Sequence, residues 1–510
     1  MQRRHFLQAL QAGLGLGVLA ATGTARAAQA GTAQAGTDTY RLFHAALQRD
    51  PGLAVYAGMQ GSQQGQAVVE GRLPADLRGV FFRNGPGRFE LDGERYRHWF
   101  DGDGFVQRWR IDGGQVRHQG RFVETRKFVD ESGAGRFLYP AFGTHIARRG
   151  FRDNDSMNAA NTNLLPFGGK LYALWEGGSA TEVDPDSLAT VGIKTWRDDL
   201  QAMPFSAHPK IAPDGTLWNF GALPGSDRLA LYRIGPDGSV LQAGMVALPK
   251  LALLHDFAVS ERHLIFVVPP YDIQDDRNLS LAERHVWAGS GAGARPTRVV
   301  VVAKDTLAVR RVFELPPRMV FHFGNAWDEN GGAVTHFDLV LHDGDELAAL
   351  GHVMEGVREP NRPAAHRAVR VSLDYASGRA STANLLDGAE FPRVMPQVVG
   401  RRHRRLAVLS SDRRNPSLAL DTVNVVDVDT GRADSWRFGA GWRAEEHVLV
   451  PRPGARGELD GYLVGVAQDT ASGTSVLSVF DAARVNAGPL ALARLPYRTP
   501  HCFHGNFLAA

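Results

Sequence analysis

The sequence predicts an all-β fold, a β-propeller in which small antiparallel sheets surround a central axis. From about residue 68 onward, short runs of β-branched and aromatic residues alternate with turn residues, a pattern typical of antiparallel strands. Long stretches of helical periodicity are scarce over the same part of the chain. These strands occupy about 440 residues without a composition break, which suits a propeller better than a β-sandwich of about 100 residues.

The strand candidates follow one another along the chain, at 79–82, 171–175, 216–220, 263–268, 298–302 and 423–428. Turn-forming pairs punctuate the chain, and these are Asp112-Gly113, Asp214-Gly215, Asp237-Gly238, Ser377-Gly378 and Thr430-Gly431. Blades of about 40–65 residues would give seven or so, although the repeats are too degenerate to fix the number. Residues 40–48 and 277–288 are the better helix candidates, and both are short.

The first 27 residues are predicted to be an export signal. Arg3-Arg4 precedes an apolar stretch rich in alanine, glycine and leucine, and Ala25-Arg26-Ala27 then matches a signal-peptidase site. The paired arginines favour twin-arginine export over an ordinary secretory signal or an uncleaved anchor. We therefore expect a periplasmic protein. Residues 28–67 would form an N-terminal extension, with little structure up to about residue 50, and residues 68–510 would form the propeller.

Charge and cysteine content exclude several classes of protein. The net charge of +3 comes from three arginines of the export signal, because removing them from 57 basic residues leaves 54 against 54 acidic residues. A balanced charge gives no reason to expect nucleic-acid binding. The single cysteine, Cys502, excludes an intrachain disulfide and a thiolate-rich metal site. The sequence also lacks a P-loop and a dinucleotide-binding fingerprint.

Four histidines stand out because each lies in a short aromatic or glycine-rich frame. They are His208, His255, His322 and His504, separated by 47, 67 and 182 residues. A propeller can bring such distant residues to its axis, where four neutral imidazoles would bind a divalent transition metal. The chain has 18 histidines, however, and a single histidine is more often a core or surface residue than a ligand. Composition alone does not select these four.

Three glutamates lie in strand-like apolar frames, where a carboxylate is costly to bury unless it is paired. Glu176 follows an apolar run, Glu390 lies in Ala389-Glu-Phe-Pro, and Glu446 starts the run Glu446-His-Val-Leu-Val. Metal-binding histidines usually donate their second ring N–H to such a group. Because Glu445 adjoins Glu446, the pattern alone leaves open which of the two is buried.

The frames of these residues resemble the carotenoid cleavage oxygenase family, which includes apocarotenoid oxygenases, stilbene-cleaving oxygenases and the retinoid isomerase of the vertebrate eye. The resemblance runs from about residue 68 to the C-terminus, and the ordered set of fragments is far more specific than any one of them. The fragments are Phe82-Arg-Asn-Gly-Pro-Gly, His98-Trp-Phe-Asp-Gly-Asp-Gly, Asn161-Thr-Asn, Ala207-His-Pro-Lys, Leu254-His-Asp-Phe, Phe321-His with Asn325-Ala-Trp, Glu390-Phe-Pro and Phe503-His-Gly.

The resemblance implies a seven-bladed β-propeller, capped by loops and short helices, with one Fe(II) per chain on its axis. It implies that the iron ligands are His208, His255, His322 and His504. It also implies that the outer carboxylates, which hold these ligands, are Glu176, Glu390 and Glu446, and so favours Glu446 over Glu445.

By the same resemblance, the reaction is oxidative cleavage of a conjugated C=C bond by O₂ to two carbonyl products. A carotenoid or apocarotenoid is the favoured substrate, and a metal-dependent isomerase or a non-enzymatic lipid-binding propeller is less favoured. The main alternative substrate is a phenolic alkene, a stilbene or phenylpropene. Stilbene-cleaving relatives hold the phenol with a tyrosine and a lysine, for which Tyr96 and Lys127 are candidates, although a lone lysine usually lies on the surface.

Other predictions concern access to the site. Phe105, which replaces a methionine frequent in the family, and Phe323 are further candidate substrate contacts. A polyene needs an apolar tunnel with an apolar mouth. The stretch 137–142, Phe-Leu-Tyr-Pro-Ala-Phe, is a candidate entrance or peripheral membrane contact, and a loop packed over the propeller is the alternative. The sequence indicates no oligomeric state.

Overall fold

The computed structural model describes residues 38–510, except residues 151, 224, 348–353, 355–365 and 412–419. The predicted export signal, residues 1–27, lies outside the described residues, as do residues 28–37. Across the part of the chain that is described, no helix is both long enough and apolar enough to cross a bilayer.

Seven antiparallel sheets of four or five strands surround one axis, so the predicted seven-bladed propeller is confirmed. Strands are numbered in chain order. Blade 1 contains β1 (Gln63–Gln66), β3 (Gly79–Arg88), β6 (Asp103–Asp112), β7 (Gln115–Phe122) and β34 (His504–Ala509). Blade 2 contains β8 (Asn163–Phe167), β9 (Lys170–Leu174), β10 (Thr181–Val183) and β11 (Thr190–Ile193). Blade 3 contains β12 (Lys210–Ile211), β13 (Leu217–Leu223), β14 (Arg228–Ile234) and β15 (Val240–Ala247).

The remaining blades follow the same plan. Blade 4 contains β16 (Ala258–Val259), β17 (His263–Val268), β20 (Thr297–Ala303) and β21 (Val309–Leu315). Blade 5 contains β22 (Met319–Glu329), β23 (Val334–His342), β24 (His366–Asp374) and β25 (Arg379–Asp387). Blade 6 contains β26 (Ala389–Arg393), β27 (Arg405–Ser410), β28 (Thr422–Asp427) and β29 (Arg432–Arg437). Blade 7 contains β2 (Val68–Gly71), β30 (Trp442–Pro451), β31 (Gly461–Asp469), β32 (Thr474–Asp481) and β33 (Ala491–Arg494).

The strands form where the sequence predicts them, because their β-branched and aromatic residues pack between neighbouring blades. All six predicted runs lie in or overlap strands, namely β3, β9, β13, β17, β20 and β28. Each predicted turn pair lies between two consecutive strands of one blade. The strand β1 pairs with β7, so the sheets begin a few residues before the predicted boundary at residue 68.

The ring is closed by strands from both ends of the chain. In blade 1, β34 pairs with β3, which places His504 opposite Asn84, and in blade 7, β2 pairs with β33. The buried Arg83 joins these two blades, because its guanidinium donates to Glu445 Oε2 at 2.6 Å and to the Glu446 carbonyl at 2.9 Å. Closure removes exposed strand edges at the axis and fixes the last residues of the chain.

Short helices, two-stranded ribbons and loops form the predicted cap. The helices of the cap include α1 (residues 38–49), α2 (Arg126–Ala134) and α3 (Leu281–Arg284). The 3₁₀ segments are Pro51–Tyr56, Trp99–Asp101, Asn154–Met157, Asp198–Leu200, Asn330–Gly332, Pro396–Val398 and Val485–Ala487. The ribbons pair β4 (Glu90–Leu91) with β5 (Glu94–Arg95), and β18 (Tyr271–Ile273) with β19 (His285–Trp287).

The helices only partly match the predictions. Helix α1 confirms the candidate at 40–48, and Phe43 on it is fully buried in an apolar cluster with Tyr56 and Trp99. The expectation of little structure up to residue 50 is therefore wrong from residue 38 onward. The candidate at 277–288 is wrong over most of its length, since only α3 is helical and the following residues pair as β19. Helix α2 was not predicted, although Thr125 caps its start and Gly135 adopts a left-handed conformation at its end.

The stretch 137–142 is a packed loop, not an exposed patch. Phe137 and Tyr139 are each 1% exposed, and Phe137 stacks on Tyr96 with 3.9 Å between ring centroids. Phe142 contacts Phe100 and His98 within the cap. Residues 137–139 are buried and residues 140–142 are half-buried, as expected for the alternative, a loop packed over the propeller. The entrance or membrane contact stays a prediction.

Deleting residues 504–510 should lower the thermal unfolding midpoint strongly, because it removes β34 and its pairing with β3. His504→Ala is the matched control, since it keeps the strand and removes only the imidazole. We expect a much smaller decrease for this variant when both are followed by circular dichroism. A truncated protein that unfolds at the wild-type temperature would contradict the closure described above.

Candidate metal centre

Four histidine side chains converge on the propeller axis. One ring nitrogen from each of His208, His255, His322 and His504 lies within 4.8 Å of the others, and all four residues are buried. The Nε2 atoms of His208 and His255 are 2.9 Å apart, and those of His255 and His322 are 3.3 Å apart. The structure therefore brings together the four histidines that the resemblance selects from 18.

Each histidine comes from a different blade, at or next to the innermost strand. His208 and His255 lie just before β12 and β16, whereas His322 lies within β22 and His504 begins β34. Inner strands of neighbouring blades contact one another in turn from β16 through β22, β26, β30 and β34 to β8. The inner strands β22 and β34, and the segments that lead into β12 and β16, therefore direct one imidazole each at the same point.

The predicted glutamates hold three of the imidazoles from outside. The Nδ1 atom of His255 lies 2.7 Å from Glu176 Oε2, that of His322 lies 2.6 Å from Glu390 Oε2, and that of His504 lies 3.0 Å from Glu446 Oε1. A carboxylate accepts a hydrogen bond, so these nitrogens are assigned as the protonated ones. Glu445, the alternative to Glu446, instead forms the buried ion pair with Arg83.

This hydrogen bonding leaves the inward nitrogens of His255, His322 and His504 as unprotonated acceptors. Several lone pairs then face one another in a buried site, an arrangement that is repulsive until a cation accepts them. Nitrogens bound to one metal at about 2.1 Å would be about 3.0 Å apart when adjacent, close to the observed 2.9 and 3.3 Å. The four imidazoles, with carboxylates behind three of them, therefore fit a divalent transition metal.

Burial sets the protonation of the ligands. Burial lowers the pKa of His208 well below its usual range, and the neighbouring imidazoles lower it further. Burial also lowers the pKa of His504, to about 4, against the opposing effect of the Glu446 carboxylate. For His255, burial lowers the pKa, but the Glu176 carboxylate, together with the smaller effects of Asp256 and Glu390, more than compensates, so its pKa is raised. His208 and His504 are therefore already neutral at pH 7, so neither has to release a proton when a metal binds.

The Glu390 carboxylate is held by more groups than sequence inspection suggested. His342, on β23, lies with its Nε2 2.9 Å from Glu390 Oε1, and the backbone N–H of Phe391 donates to Oε2 at 2.6 Å. Burial raises the pKa of Glu390, but His322 and His342 lower it well below its usual range, so the group stays ionised. No sequence signal marks His342, because its partner lies 48 residues away on another blade.

Phe391 adopts a left-handed backbone conformation, with φ of 57°. This conformation is strained for a bulky residue and occurs at a β-bulge, where the pairing of β26 with β27 shifts between Glu390 and Arg393. It turns the Phe391 N–H towards the Glu390 carboxylate and places the Phe391 ring over His322, with 5.1 Å between centroids. The strain thus serves to fix one ligand and its carboxylate.

Aromatic side chains surround the histidines on the cap side. Phe321 and Phe503 directly precede two of the ligands, and Phe100 of the cap contacts both rings, at centroid distances of 6.0 and 5.4 Å. Trp99 packs on Phe503 at 4.5 Å. These rings belong to one apolar cluster that includes residues of α1 and the segment Pro51–Tyr56. The space next to the site is therefore apolar and shielded from water by the cap.

The other predicted substrate contacts lie elsewhere. Phe105 is fully buried within blade 1, where it packs on Phe122, and Phe323 is buried in the apolar core shared by blades 4 and 5. Both rings pack between strands of the blades, and their substrate contact stays a prediction. Tyr96 and Lys127 do lie together, since Lys127 Nζ is 2.6 Å from the Tyr96 hydroxyl, but both are buried rather than on the surface.

Comparison with known proteins places this geometry in a family. The family model described as retinal pigment epithelial membrane protein matches residues 59–509. The chain belongs to this family. The apocarotenoid-15,15'-oxygenase of Synechocystis is 30% identical over 467 residues, which cover 86% of this chain and 92% of that protein. The lignostilbene-alpha,beta-dioxygenase isozyme III of Sphingomonas paucimobilis is also 30% identical, covering 87% of this chain and 93% of that protein.

Solved structures of the Synechocystis apocarotenoid oxygenase have the same fold as this chain. A single-residue variant superposes with a TM-score of 0.81 at 27% identity, covering 90% of this chain and 98% of that one. A cobalt-substituted form of the same enzyme gives a TM-score of 0.78, with 89% and 97% coverage. The likeness therefore extends over nearly the whole propeller.

His255→Ala should abolish binding of the metal, because it removes a ligand whose Nε2 neighbours two others. Metal content after reconstitution with Fe(II) would be measured by elemental analysis. His263→Ala is the matched control, since it removes another buried imidazole of blade 4 that bonds Asp328 instead. It should bind a full equivalent of metal. A His255→Ala protein with stoichiometric iron would show that this site is not the binding site.

Metal affinity should fall as the pH drops through the pKa of His255, which is raised above the usual histidine value, because protons then compete with the metal for its ring. Titrations with Co²⁺ between pH 5 and 8 would measure this. In Glu176→Gln the loss of Co²⁺ affinity at acidic pH should begin at a lower pH, since the carboxylate that raises the pKa of His255 is replaced by a neutral amide. At pH 8 the same variant should bind about 10–100-fold more weakly. If Co²⁺ affinity falls at the same pH in Glu176→Gln as in the wild type, the assignment of the Glu176–His255 pair is contradicted.

Proposed function

We propose that the protein is a non-haem Fe(II) dioxygenase that cleaves a conjugated C=C bond with O₂ to give two carbonyl products. The observation that carries the proposal is the cluster of four imidazoles, three of them held by buried or half-buried carboxylates. Matched relatives that are named as apocarotenoid and lignostilbene oxygenases support the same chemistry. One iron per chain follows from the single cluster of this kind in the described residues.

The ligands are neutral, so the charge balance of the site falls to the surrounding groups. Bound Fe(II) would supply the ability to bring O₂ and an electron-rich alkene together. The glutamates keep the Nδ1 protons of His255, His322 and His504 in place and orient each ring. Both oxygen atoms of O₂ enter the two products, so the reaction needs no external reductant. We therefore assign no protein side chain a role as general acid or base.

A carotenoid or apocarotenoid is the substrate class we favour. The aromatic cluster next to the histidines offers apolar contacts and π-faces, which suit a long polyene with few polar groups. It also excludes water from the space in which the alkene would lie. A relative named for cleavage of apocarotenoids covers nearly the full chain.

A phenolic alkene is the second candidate, and the Tyr96–Lys127 pair is the observation that favours it. Against it, Lys127 already has three acceptors for its three N–H groups. These are the Tyr96 hydroxyl at 2.6 Å, Asp103 at 2.8 Å and Glu131 at 3.0 Å. A phenol could be held only by displacing one of these partners from a fully buried cluster. A lipid-binding propeller is less favoured because the complete metal cluster is present, and a metal-dependent isomerase is less favoured because the matched relatives are named as oxygenases.

Export and membrane contact are further parts of the proposal. The paired arginines and the A-x-A site within residues 1–27 support a periplasmic protein exported by the twin-arginine route. That route carries folded proteins, so the metal could be acquired before export. A peripheral membrane contact is included because the favoured substrate is apolar and would reach the protein from a membrane.

Oxygen uptake with mass spectrometry of the products would test the substrate. Fe(II)-loaded protein would be given an apocarotenal and, separately, resveratrol and isoeugenol. We expect aldehyde products and O₂ consumption with the apocarotenal alone, and no turnover by His255→Ala. Cleavage of the phenolic alkenes alone would move the protein to the stilbene-type branch and make Tyr96 and Lys127 the next residues to change. If none of the three compounds is cleaved, the proposed function is contradicted.

A further inference from the structure

One ligand lacks a glutamate partner of the kind that holds the other three. The Nδ1 atom of His208 faces Asp256 instead, at 4.0 Å from Oδ2, and Asp256 is the one carboxylate of the described residues within this distance. This separation is too long for a direct hydrogen bond, so the carboxylate acts on the ring through its charge. All four outward nitrogens of the cluster thus face a carboxylate.

Asp256 also connects the strands that carry three of the ligands. It follows His255 directly in the chain, and its Oδ2 accepts a hydrogen bond at 2.8 Å from the backbone N–H of Phe323, which follows His322. Its Oδ1 lies 2.8 Å from Nζ of Lys210, two residues after His208. One side chain therefore ties blades 3, 4 and 5 together directly behind the metal ligands.

The Asp256 carboxylate is well placed to act through its charge. The Asp256 side chain is 2% exposed, so water screens its charge little. Its partner Lys210 is 20% exposed, so water screens the charge of Lys210 more. The Asp256 oxygens are fully engaged, because the backbone N–H of Phe257 also donates to Oδ1 at 2.7 Å. A carboxylate held this rigidly keeps its position when the metal binds.

We propose that Asp256 is the fourth outer carboxylate of the metal centre, a positioning residue that orients His208 and stabilises the bound dication electrostatically. The inference rests on the proposed metal site but not on the proposed reaction. Lys210 has the opposite effect, since its positive charge offsets part of the Asp256 charge. The alternative is that the Asp256–Lys210 pair only braces the blades, in which case losing either partner would weaken the site.

The electrostatic role and the bracing role of Asp256 predict different changes in metal affinity when Lys210 is replaced. If Asp256 acts by its charge, Asp256→Asn should weaken binding of Co²⁺ by about 10–100-fold, as for other outer-shell partners of a metal ligand. Lys210→Gln removes a positive charge but keeps a donor for Asp256, so its affinity should stay unchanged or increase. A bracing role predicts weaker binding in both variants.

The test uses the full-length protein and Co²⁺ in competition with a chelator, with the ligand-field absorption of the bound ion as second readout. Asp256→Asn should change this spectrum, because His208 loses its orienting group, while Lys210→Gln should leave it nearly as in the wild type. Asp421→Asn is the matched control, since Asp421 is also buried and ion-paired, with Arg437 at 2.8 Å on blade 6. It should match the wild type in both readouts.

Wild-type affinity and spectrum in Asp256→Asn would overturn the proposal, as would an equal loss in Asp421→Asn. If Asp256→Asn does not fold, Lys210→Gln decides, because a loss of affinity in that variant contradicts the charge effect. The readout is metal binding rather than turnover, so a protein that binds Co²⁺ but cleaves no alkene would refute the proposed reaction and leave this inference standing.

Discussion

The structure depends on bringing four imidazole nitrogens to one buried point. Every blade contributes to this. Blades 1, 3, 4 and 5 supply the histidines, and blades 2, 6 and 7 supply the glutamates, so each blade provides one residue of the cluster. The final ligand, His504, is fixed by the pairing of β34 with β3 and by the contact of its Nδ1 with Glu446 of blade 7. The strand that closes the ring therefore also carries a ligand of the metal centre.

Burying this many charged and polar groups is costly unless each is compensated. The carboxylates differ in how this is achieved. Glu446 has Arg393 at 3.3 Å, Glu390 has His342, and Asp256 has Lys210, whereas Glu176 remains one-third exposed to solvent. A bound dication would complete the balance from the inside. The neutral ligands thus gain their electrostatic setting from partners that never touch the metal.

Much of the fold follows from local sequence, because strands and turns depend on neighbouring residues. The runs at 263–268 and 298–302 and the turn at Asp237-Gly238 needed no distant information. The helix candidate at 277–288 did need distant information, since the segment after α3 pairs with β18 and this pairing overrides its helical pattern. The four histidines were selected by resemblance, since their convergence depends on the closed ring. His342 and Asp256 were missed as site residues, because their contacts join residues 46 or more positions apart in the chain.

Under the proposal that these four imidazoles hold one iron, X-ray absorption at the iron edge reports the ligands of that ion. Fe(II) would be added to the full-length protein and the spectrum compared with that of His255→Ala. We expect about four nitrogen ligands near 2.1 Å with the multiple-scattering pattern of imidazole, and we expect this pattern to be lost in the variant. A first shell made mainly of oxygen, or an unchanged spectrum in His255→Ala, would contradict the proposal.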